Sequence, residues 1–382
     1  MQSVDYDIAI VGGGVVGCIA AYQLAPDHDV VVIEKDKIGG DATSRASGVV
    51  TTTSVYPEYP EMGEHAMDFF KQFDGTGTYS FTQREKVHMI SDEIDEEVRQ
   101  EAQREGVTLL EADELEEHYP EMFGDLSDYA GALLYRNTGV TDPSEYASSL
   151  KHAAEGLGAE FRTDTEVKNV LLDGDSVTGV ETEYETLHAE NVVIAANWYS
   201  RELLDGVIEL PVRPFRWNAM VFDVGEDVSH YPLGAETDLE IYWRPTPEGN
   251  LLVGGGEHFI EDPHSPSAIV DAFDEKVRTE VPSLLRTLED ATVIRNDCCP
   301  TGDSATPDTW PIIDAPDEGP EGLVIASGFQ RGGVMTSPIT GTAVRSLITG
   351  EECPFPLEPF KLDRLKTRHA EFDFVSLYDV EV

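Results

Sequence analysis

The segment from residue 6 to residue 35 contains the pattern that most limits how this chain can fold. A short run rich in β-branched residues predicts a buried strand, and the small and apolar residues after it predict a closely packed helix. A second apolar run predicts another buried strand, which ends in an acid. In chain order, the parts are residues 8–11, the glycines Gly12, Gly14 and Gly17, residues 15–25, residues 30–33 and Glu34. This order predicts a strand–helix–strand unit of the dinucleotide-binding type.

The glycines and the acid have separate physical roles in such a unit. Gly12 allows the tight turn out of the strand, Gly14 lets the backbone approach a pyrophosphate, and Gly17 lets the helix lie close to the sheet. The helix N-terminus offers unpaired N–H groups and the positive end of the helix dipole to phosphates. Glu34 can accept hydrogen bonds from ribose hydroxyls, and its charge disfavours the 2′-phosphate of NADP.

The chain is strongly acidic, with 74 acidic against 26 basic residues and a formal net charge of −48. Such a surface disfavours nucleic acids and anionic membranes as partners. The apolar fraction of 40% is that of a folded protein, so the acidity indicates a solvated shell suited to concentrated salt. We therefore expect a halophilic source with a high-salt cytoplasm, and a compact state that weakens at low ionic strength.

Cysteine content and hydropathy also favour the cytoplasm. The four cysteines, Cys18, Cys298, Cys299 and Cys353, form no disulfide framework, which fits a reducing compartment. The apolar run at residues 8–21 is too short to span a bilayer, so we expect neither membrane insertion nor a secretory signal. None of the ten histidines has ligand spacing with another histidine or cysteine, and we predict no metal site.

The alternation of strands and helices breaks between residues 56 and 139, which predicts part of an inserted substrate domain. Its helices are expected at residues 61–73, 89–105 and 111–117, the last two highly charged and solvated. A second antiparallel block follows. Its strands are expected at residues 215–222, 239–243 and 250–253, and Gly254, Gly255 and Gly256 are expected to end the last of them.

Three further segments can contribute to a ligand site. Residues 39–50 (GGDATSRASGVV) are rich in small and hydroxylated residues, and they fit either a phosphate- or flavin-binding loop or an ordinary loop that leads into a helix. Residues 191–196 predict a buried strand that ends in small residues. Residues 328–333 predict a turn before a helix at residues 336–349, whose N-terminus can face an anion or a flavin carbonyl.

Four separated stretches, taken together, resemble the FAD-dependent D-amino-acid oxidase superfamily, with glycine oxidase and sarcosine oxidase nearest in appearance. They are IVGGGVVG with Glu34 and Lys35, TSRASGVV at 43–50, NVVIAAN at 191–197, and TPDTWPIID with ASGFQRGGVMTSPITG over 306–341. The resemblance implies FAD in preference to a nicotinamide. It also implies an α/β (α+β) fold, in which a Rossmann-like FAD-binding domain accompanies a discontinuous substrate domain on a mixed, largely antiparallel sheet. We assign residues 1–55, 140–205 and 295–382 to the first domain, and 56–139 and 206–294 to the second.

The resemblance also implies a set of cofactor-binding residues. The ADP half would be held by the first glycines and the acid, the flavin and pyrophosphate by the 43–49 segment, and the pyrimidine end of the ring by the turn after residue 327. The expected residues are Gly12, Gly14, Val15, Gly17, Glu34, Lys35, Thr43, Ser44, Ser47, Gly48, Val49, Val167, Ala195, Gly328, Phe329, Gly332, Gly333, Val334 and Met335.

The substrate residues follow less directly from the resemblance. Glycine-oxidase-like proteins have an arginine at the position of Arg331, where a guanidinium fork suits a substrate carboxylate; the alternative is a structural arginine paired with an acid of this chain. A second family arginine would fall near Cys299 and is absent. Arg244, beside Tyr242, or Arg216 can take over that role, although arginines at such positions are more often structural.

Two further departures from sarcosine oxidase concern lysines and cysteines. The lysines that sarcosine oxidases have near Val253 and Met335 are absent here. The sequence therefore leaves open whether the protein uses O₂ efficiently and whether sarcosine is its substrate. Sarcosine oxidases also carry flavin on a cysteine in the region of Cys298 and Cys299, but the spacing to Thr306 is longer here. Two ordinary buried cysteines are the alternative.

The predicted activity is FAD-dependent oxidation of the C–N bond of a small amino acid or N-methyl amino acid. Arg331, Tyr242 and Arg244 are the expected substrate residues, and O₂ or another carrier is the electron acceptor. One alternative is a 2-hydroxy-acid or glycerol-phosphate dehydrogenase, with His258 as a candidate base. Others are the flavin subunit of a multi-subunit amine dehydrogenase and a non-catalytic flavin-binding regulator. A homo-oligomer is also possible on the sequence alone.

Overall fold

The computed structural model describes residues 4–51, 56, 58–75, 77–91, 93–260, 269–298 and 302–376. Cys299 lies outside these residues, and the side chain of Cys298 is not among those described. The two alternatives for this cysteine pair therefore stay predictions.

Strands make up most of the regular structure. They are β1 (Tyr6–Val11), β2 (Val30–Ile33), β3 (Val49–Thr51), β4 (Phe81–Gln83), β5 (Lys86–Ile90), β6 (Val107–Glu111), β7 (Gly131–Tyr135), β8 (Thr138–Thr141), β9 (Glu160–Arg162), β10 (Val167–Asp173), β11 (Ser176–Thr182), β12 (Thr186–Ile194), β13 (Arg213–Asp223), β14 (Leu233–Glu236), β15 (Ile241–Pro245), β16 (Leu251–Phe259), β17 (Thr292–Cys298), β18 (Asp303–Ala305), β19 (Ile312–Asp314) and β20 (Leu323–Ser327).

The helices are distributed along the whole of the described chain. They are α1 (Val15–Leu24), α2 (Ala42–Arg45), α3 (Pro60–Gln72), α4 (Glu96–Glu101), α5 (Ala112–His118), α6 (Pro143–Gly156), α7 (Tyr199–Leu203), α8 (Asp271–Thr279), α9 (Val281–Leu284) and α10 (Ser337–Thr349), with short 3₁₀ turns at Arg286–Leu288, Glu358–Phe360 and Leu362–Arg364.

The first sheet contains the predicted dinucleotide-binding unit. β1 lies between β2 and β12 and runs parallel to both, and β20 continues the parallel order beyond β12. Helices α1, α6 and α10 cover one face, while the hairpin of β10 and β11 contributes to the cover of the other. Both faces of this sheet are therefore buried. Because side chains on either face of β1 and β2 are shielded from water, the sequences of these strands are continuous apolar runs.

The second sheet runs in the order β17-β13-β16-β15-β14-β5-β7-β6, and β18 also pairs with β13. All of its pairings are antiparallel except that of β14 with β5. It is thus the mixed, largely antiparallel sheet that the resemblance implies. A three-stranded sheet of β3, β8 and β4 is separate from it.

The register of the second sheet decides which side chains face the first domain. Lys86 pairs with Leu233, Ala235 with Tyr242, and Tyr242 also with Gly254. Because paired residues share a face and alternate residues return to it, Lys86 and Tyr242 lie on the same face. Residues of the opposite face, such as Trp243 and Val253, pack in a core with α8 and α9.

The structure confirms some predicted elements of the substrate domain and corrects others. The predicted helices at residues 61–73 and 111–117 are α3 and α5. The helix expected at residues 89–105 is wrong at its start, because β14 and β7 hold residues 86–90 as a strand between them, and the helix is limited to α4.

The predicted strand end at Gly254–Gly256 is also wrong, since β16 continues through the glycines to Phe259. The missing side chain at Gly254 makes room for the ring of Tyr242, and Gly256 has φ +62° and lies against Phe273. The glycines therefore permit close packing and a register shift within a strand, instead of ending it.

One predicted domain limit falls inside a strand, and one helix packs with elements of the other predicted domain. β17 crosses the limit at residue 295 and pairs with β13 of the substrate sheet. Helix α3, assigned to the substrate domain, packs through Met62, Met67 and Phe70 in the core that contains α1 and α10. Proximity in the fold thus groups α3 with the cofactor-binding sheet.

Candidate functional site

The turn between β1 and α1 requires glycine at two positions. Gly12 has φ +109°, a conformation that L side chains rarely adopt, and a Cβ there would meet the backbone of Ala195. A Cβ at Gly17 would overlap the carbonyl oxygen of Gly12. The start of α1 therefore lies directly against the turn, and its N-terminus faces the space beyond β1.

Thr43 connects the 39–50 segment to the start of α1. Its Oγ1 accepts a hydrogen bond from the Val15 N–H at 3.1 Å. The first N–H groups of a helix have no partner within the helix, so this bond satisfies one of them. The segment thus forms a wall beside the helix N-terminus, where the dipole favours an anion.

Glu34 and Lys35 lie at the other end of the same space. The Glu34 carboxylate accepts hydrogen bonds from the Gly13 N–H at 2.7 Å and the Asp36 N–H at 2.9 Å. Burial raises the pKa of Glu34, although these hydrogen bonds act in the opposite direction. The Lys35 ammonium lies 3.6 Å from the centroid of the Tyr199 ring, a cation–π contact that fixes the lysine.

These elements enclose a cleft of about 890 Å³, which is within the usual range for ligand pockets of about 300–1,000 Å³. The cleft has an acid at one end, a helix N-terminus beside it and a glycine turn that a Cβ would fill. This donor set fits the ADP half of FAD. The predicted cofactor residues that line the cleft are Gly12, Gly14, Val15, Glu34, Lys35, Thr43, Val167, Ala195, Phe329, Gly333 and Val334.

The remaining predicted cofactor residues lie elsewhere. Gly17 acts in packing α1, as described above. Ser47, Val49 and Met335 line an adjoining cavity, and the cleft and cavity walls do not include Ser44, Gly48, Gly328 and Gly332.

The adjoining cavity has a volume of about 110 Å³ and lies against the substrate sheet. Its wall includes Lys86, Trp217 and Tyr242 from that sheet. Four residues line both the cavity and the cleft, and they mark the junction where a cofactor and a small substrate would meet: Ala42, Ala46, Asp303 and Arg331.

Arg331 is held in the junction by an unusual turn. Gln330 and Arg331 have φ values of 39° and 69°, in the left-handed region that non-glycine residues seldom occupy. The Asp303 carboxylate accepts the Arg331 N–H at 2.9 Å, and the Ser304 carbonyl accepts the Gln330 N–H at 2.9 Å. The Asp303 carboxylate and the Ser304 carbonyl thus accept the two N–H groups of the turn and maintain this strained conformation.

The Arg331 guanidinium forms an ion pair with Glu257, through Nε and Oε1. Both side chains are buried, with 15% and 2% of their surfaces exposed. The other Glu257 oxygen, Oε2, accepts a hydrogen bond from the Ser376 hydroxyl at 3.2 Å. The pair orients Arg331, and it is the kind of contact with an acid of this chain that the structural alternative expects.

Tyr242 reaches the cavity from the middle of the substrate sheet. Burial raises the pKa of its phenol, while the positive charges of Arg331 and Arg244 act to lower it. A hydrogen bond to Ser47 acts in the same direction as the arginines. The phenol is therefore neutral, and its O–H can donate to an anion beside Arg331.

The other predicted substrate residues lie outside the cavity wall. Arg244 is on the same sheet face as Tyr242, two residues along β15, and its Nη1 donates to the Pro245 carbonyl at 3.1 Å. Burial lowers the pKa of Arg244. Arg216 and His258 are register partners on β13 and β16, and they line neither the cleft nor the cavity.

Three charged residues of the site were missed in the sequence. Lys86 lies just before the helix expected at residues 89–105, and the alternation of polar Lys86 and His88 with apolar Val87 and Met89 is a signal of a strand. Glu257 follows the three glycines that predict a strand end, so the sequence gives no signal that it enters a site. Asp303 lies in the CCPTGD segment, for which the resemblance implies an arginine and no acid.

Two kinds of feature are absent from the part of the chain that the structure describes. No helix there is long and apolar enough to cross a membrane. No group of three or more histidine, cysteine, aspartate or glutamate side chains there has the arrangement of a metal site.

The fold and the site together define a dinucleotide-binding oxidoreductase, with a cofactor cleft that opens into a small, charged substrate cavity. Comparison with family models makes the class definite. Residues 7–347 match the DAO family, described as FAD dependent oxidoreductase. The chain belongs to this family, and FAD is its cofactor.

Named relatives cover almost the whole chain. The sarcosine oxidase subunit beta of an Arthrobacter species is 26% identical over 96% of this chain and 92% of its own length. A glycine oxidase of Pseudomonas putida is 26% identical over 90% of this chain and 95% of its own. The structure of L-proline dehydrogenase from P. horikoshii superimposes with a TM-score of 0.84 at 24% identity, covering 95% of this chain and 99% of that one, which supports the fold.

Proposed function

We propose that the protein oxidises the C–N bond of a small amino acid or N-methyl amino acid. The observation that carries the proposal is the presence of Arg331 and Tyr242 in a small cavity that opens into the cofactor cleft. A guanidinium fork and a neutral phenol are suited to one carboxylate. The similarity to proteins named sarcosine oxidase and glycine oxidase supports the same substrate class.

In this proposal the residues of the chain bind and orient the substrate. Glu257 pairs with Arg331 through Nε, and the substrate carboxylate is bound by the Arg331 guanidinium and the Tyr242 hydroxyl. Arg244 contributes positive charge from behind Tyr242 without touching the substrate. This anchoring places the carbon–nitrogen bond at the junction marked by Ala42 and Ala46. Fixed orientation of this kind accounts for a large part of the rate in such reactions.

The cofactor residues predicted above would hold FAD by their backbone and by Glu34. FAD would supply flavin N5 as the acceptor of the α-hydrogen and its electron pair. The substrate amine is uncharged when the hydrogen leaves, and the imine product is hydrolysed to a 2-oxo acid and an amine. O₂ or another carrier then takes the electrons. The site of action is a high-salt cytoplasm, a proposal supported by the net charge of −48.

The test is anaerobic reduction of the FAD-loaded protein in concentrated KCl with glycine, sarcosine, D- and L-amino acids, proline and 2-hydroxy acids. Bleaching of the flavin bands by amines alone is expected. Arg331→Met should raise KM roughly 10- to 100-fold, because charged hydrogen bonds contribute about 1.5–3 kcal/mol. Arg364→Met is the matched control, since Arg364 is paired with Asp308 and also 15% exposed, but lines neither space.

Bleaching by hydroxy acids instead of amines would refute the proposal in favour of the dehydrogenase alternative. An equal KM for Arg331→Met and the wild type would refute the role of Arg331.

A second candidate is the flavin subunit of a multi-subunit amine dehydrogenase. The name of the Arthrobacter relative, a subunit beta, favours it. Purification from the native source would then yield further chains with this one, and the isolated chain would not turn over with any soluble acceptor.

A further inference from the structure

Among the residues that the structure describes, Asp303 is the acidic residue that lines both the cofactor cleft and the substrate cavity. It comes from β18, which pairs with β13 of the substrate sheet. Its Oδ1 accepts the Ser304 N–H at 2.8 Å and its Oδ2 accepts the Arg331 N–H at 2.9 Å. Each oxygen has two lone pairs, so the carboxylate has acceptor capacity beyond these two bonds.

The chemistry at this junction requires a proton acceptor. An amino acid is a zwitterion in neutral solution, and the nitrogen must lose a proton before its lone pair can assist departure of the α-hydrogen. Arg331 is bonded through its backbone to Asp303 and through its side chain to Glu257. Asp303 and Arg331 also line the same small cavity, so a carboxylate anchored on Arg331 would bring the neighbouring ammonium group close to Asp303.

We propose that Asp303 binds the substrate ammonium group and takes its proton. The inference rests on the proposed amine oxidation. In the step, one N–H bond of the ammonium breaks and an O–H bond forms on Asp303, while the electron pair stays on nitrogen. The substrate becomes the neutral amine and Asp303 the neutral acid. No further reactant is needed for this transfer.

The surroundings of Asp303 suit this role. Burial raises its pKa, and the negative charge of Asp41 acts in the same direction. The bonds from the backbone of Arg331 and Ser304, and the Arg331 charge, act to lower it. Lys86 and Tyr242 face the same cavity from the substrate sheet, and Glu257 offsets the Arg331 charge. A carboxyl group with a raised pKa is a stronger base than an ordinary aspartate.

The first test uses the unchanged FAD-loaded protein in concentrated KCl. If Asp303 accepts the proton, the ammonium form is the one bound, and kcat/KM falls as pH rises through the pKa of the free substrate amine. If the site has no such base, the neutral amine is bound, and kcat/KM rises up to that same pKa. The second result would overturn the inference. It would leave amine oxidation itself intact, because the flavin would still be reduced by amines.

The second test is Asp303→Asn. At neutral pH, kcat/KM should fall about 10²- to 10⁴-fold, the usual contribution of general base catalysis. The profile should now rise with pH towards the pKa of the substrate amine. Binding of acetate, which has a carboxylate but no amine, should change little, showing that the Arg331 turn is intact. An unchanged pH profile would overturn the inference.

Asp314→Asn provides the matched control. Asp314 is also a buried aspartate whose pKa is raised by burial, and it accepts a backbone N–H from Leu362 at 2.9 Å. It lines neither the cleft nor the cavity. Its replacement should leave the pH profile of the wild type in place.

Discussion

Replacement of Gly17 by alanine is the sharpest test of how the dinucleotide turn is built. The added methyl group would overlap the carbonyl oxygen of Gly12 and lie 3.1 Å from its carbon. Helix α1 is packed against β1, α6 and α10, so it cannot tilt away without disturbing the core. To reach an allowed separation from that oxygen, α1 must withdraw by about 1 Å.

The expected cost follows from this displacement. Overpacking of a closely packed core costs about 1–3 kcal/mol. The displaced N-terminus also loses its position beside Thr43, and a loss of about 1.4 kcal/mol in binding energy weakens FAD affinity tenfold. We expect Gly17→Ala to purify with little flavin and to bind added FAD at least about tenfold more weakly than the wild type.

The assay is the visible flavin absorbance after purification in concentrated KCl, followed by FAD titration and urea unfolding. Gly156→Ala is the control, because Gly156 lies in helix α6 and a Cβ there has no neighbour within 4 Å. That variant should retain FAD, and its free energy of unfolding should rise by about 0.5–1 kcal/mol because alanine favours a helix more than glycine does. If Gly17→Ala retains FAD and stability as well as Gly156→Ala does, the argument from close packing is refuted.

Three other predictions concern the cavity, acid stability and salt. Gly254→Ala would push a methyl group against the Tyr242 ring, so KM for the substrate should rise while FAD stays bound. A simultaneous loss of FAD would contradict the separation of the substrate cavity from the cofactor cleft. Burial lowers the pKa of His88 to about 3 from 6.5, so its contribution to stability is present above pH 6.5 and is lost as pH falls towards 3. The free energy of unfolding falls by at most about 1.4 kcal/mol per pH unit for this reason. Measured by urea unfolding between pH 7 and 5, it should therefore depend less steeply on pH in His88→Gln than in the wild type. Finally, the melting temperature should fall as KCl is diluted, because the net charge of −48 is then less screened; a constant value would argue against a high-salt habitat.

Local patterns were sufficient for much of the cofactor-binding domain. The glycine turn, the packed helix α1 and the acid at Glu34 all follow from spacing within 30 residues, because each part constrains its neighbour in sequence. Helix α6 carries two local start signals of the same kind: the Asp142 side chain accepts the Glu145 N–H, and Pro143 lies in the first turn. Such features depend on short-range geometry, so the sequence alone determines them.

The substrate sheet was less predictable, since its partners are remote in sequence. β5 is a strand because β14, more than a hundred residues later, pairs with it. β16 continues through three glycines because Tyr242 and Phe273 fill the space that their side chains would occupy. The local pattern favoured a helix over the last two residues of β5 and a break in β16, and tertiary packing overrode both.

The charges of the junction illustrate the same division. The sequence alone determined that a dinucleotide site exists, that a guanidinium stands in GFQRGG and that the surface is acidic. Only the tertiary structure brought Glu257 from β16 to Arg331 and Asp303 from β18 to the backbone of that same residue. Electrostatic pairing depends on distance in space, and a chain of 74 acids offers too many partners for sequence to choose among them.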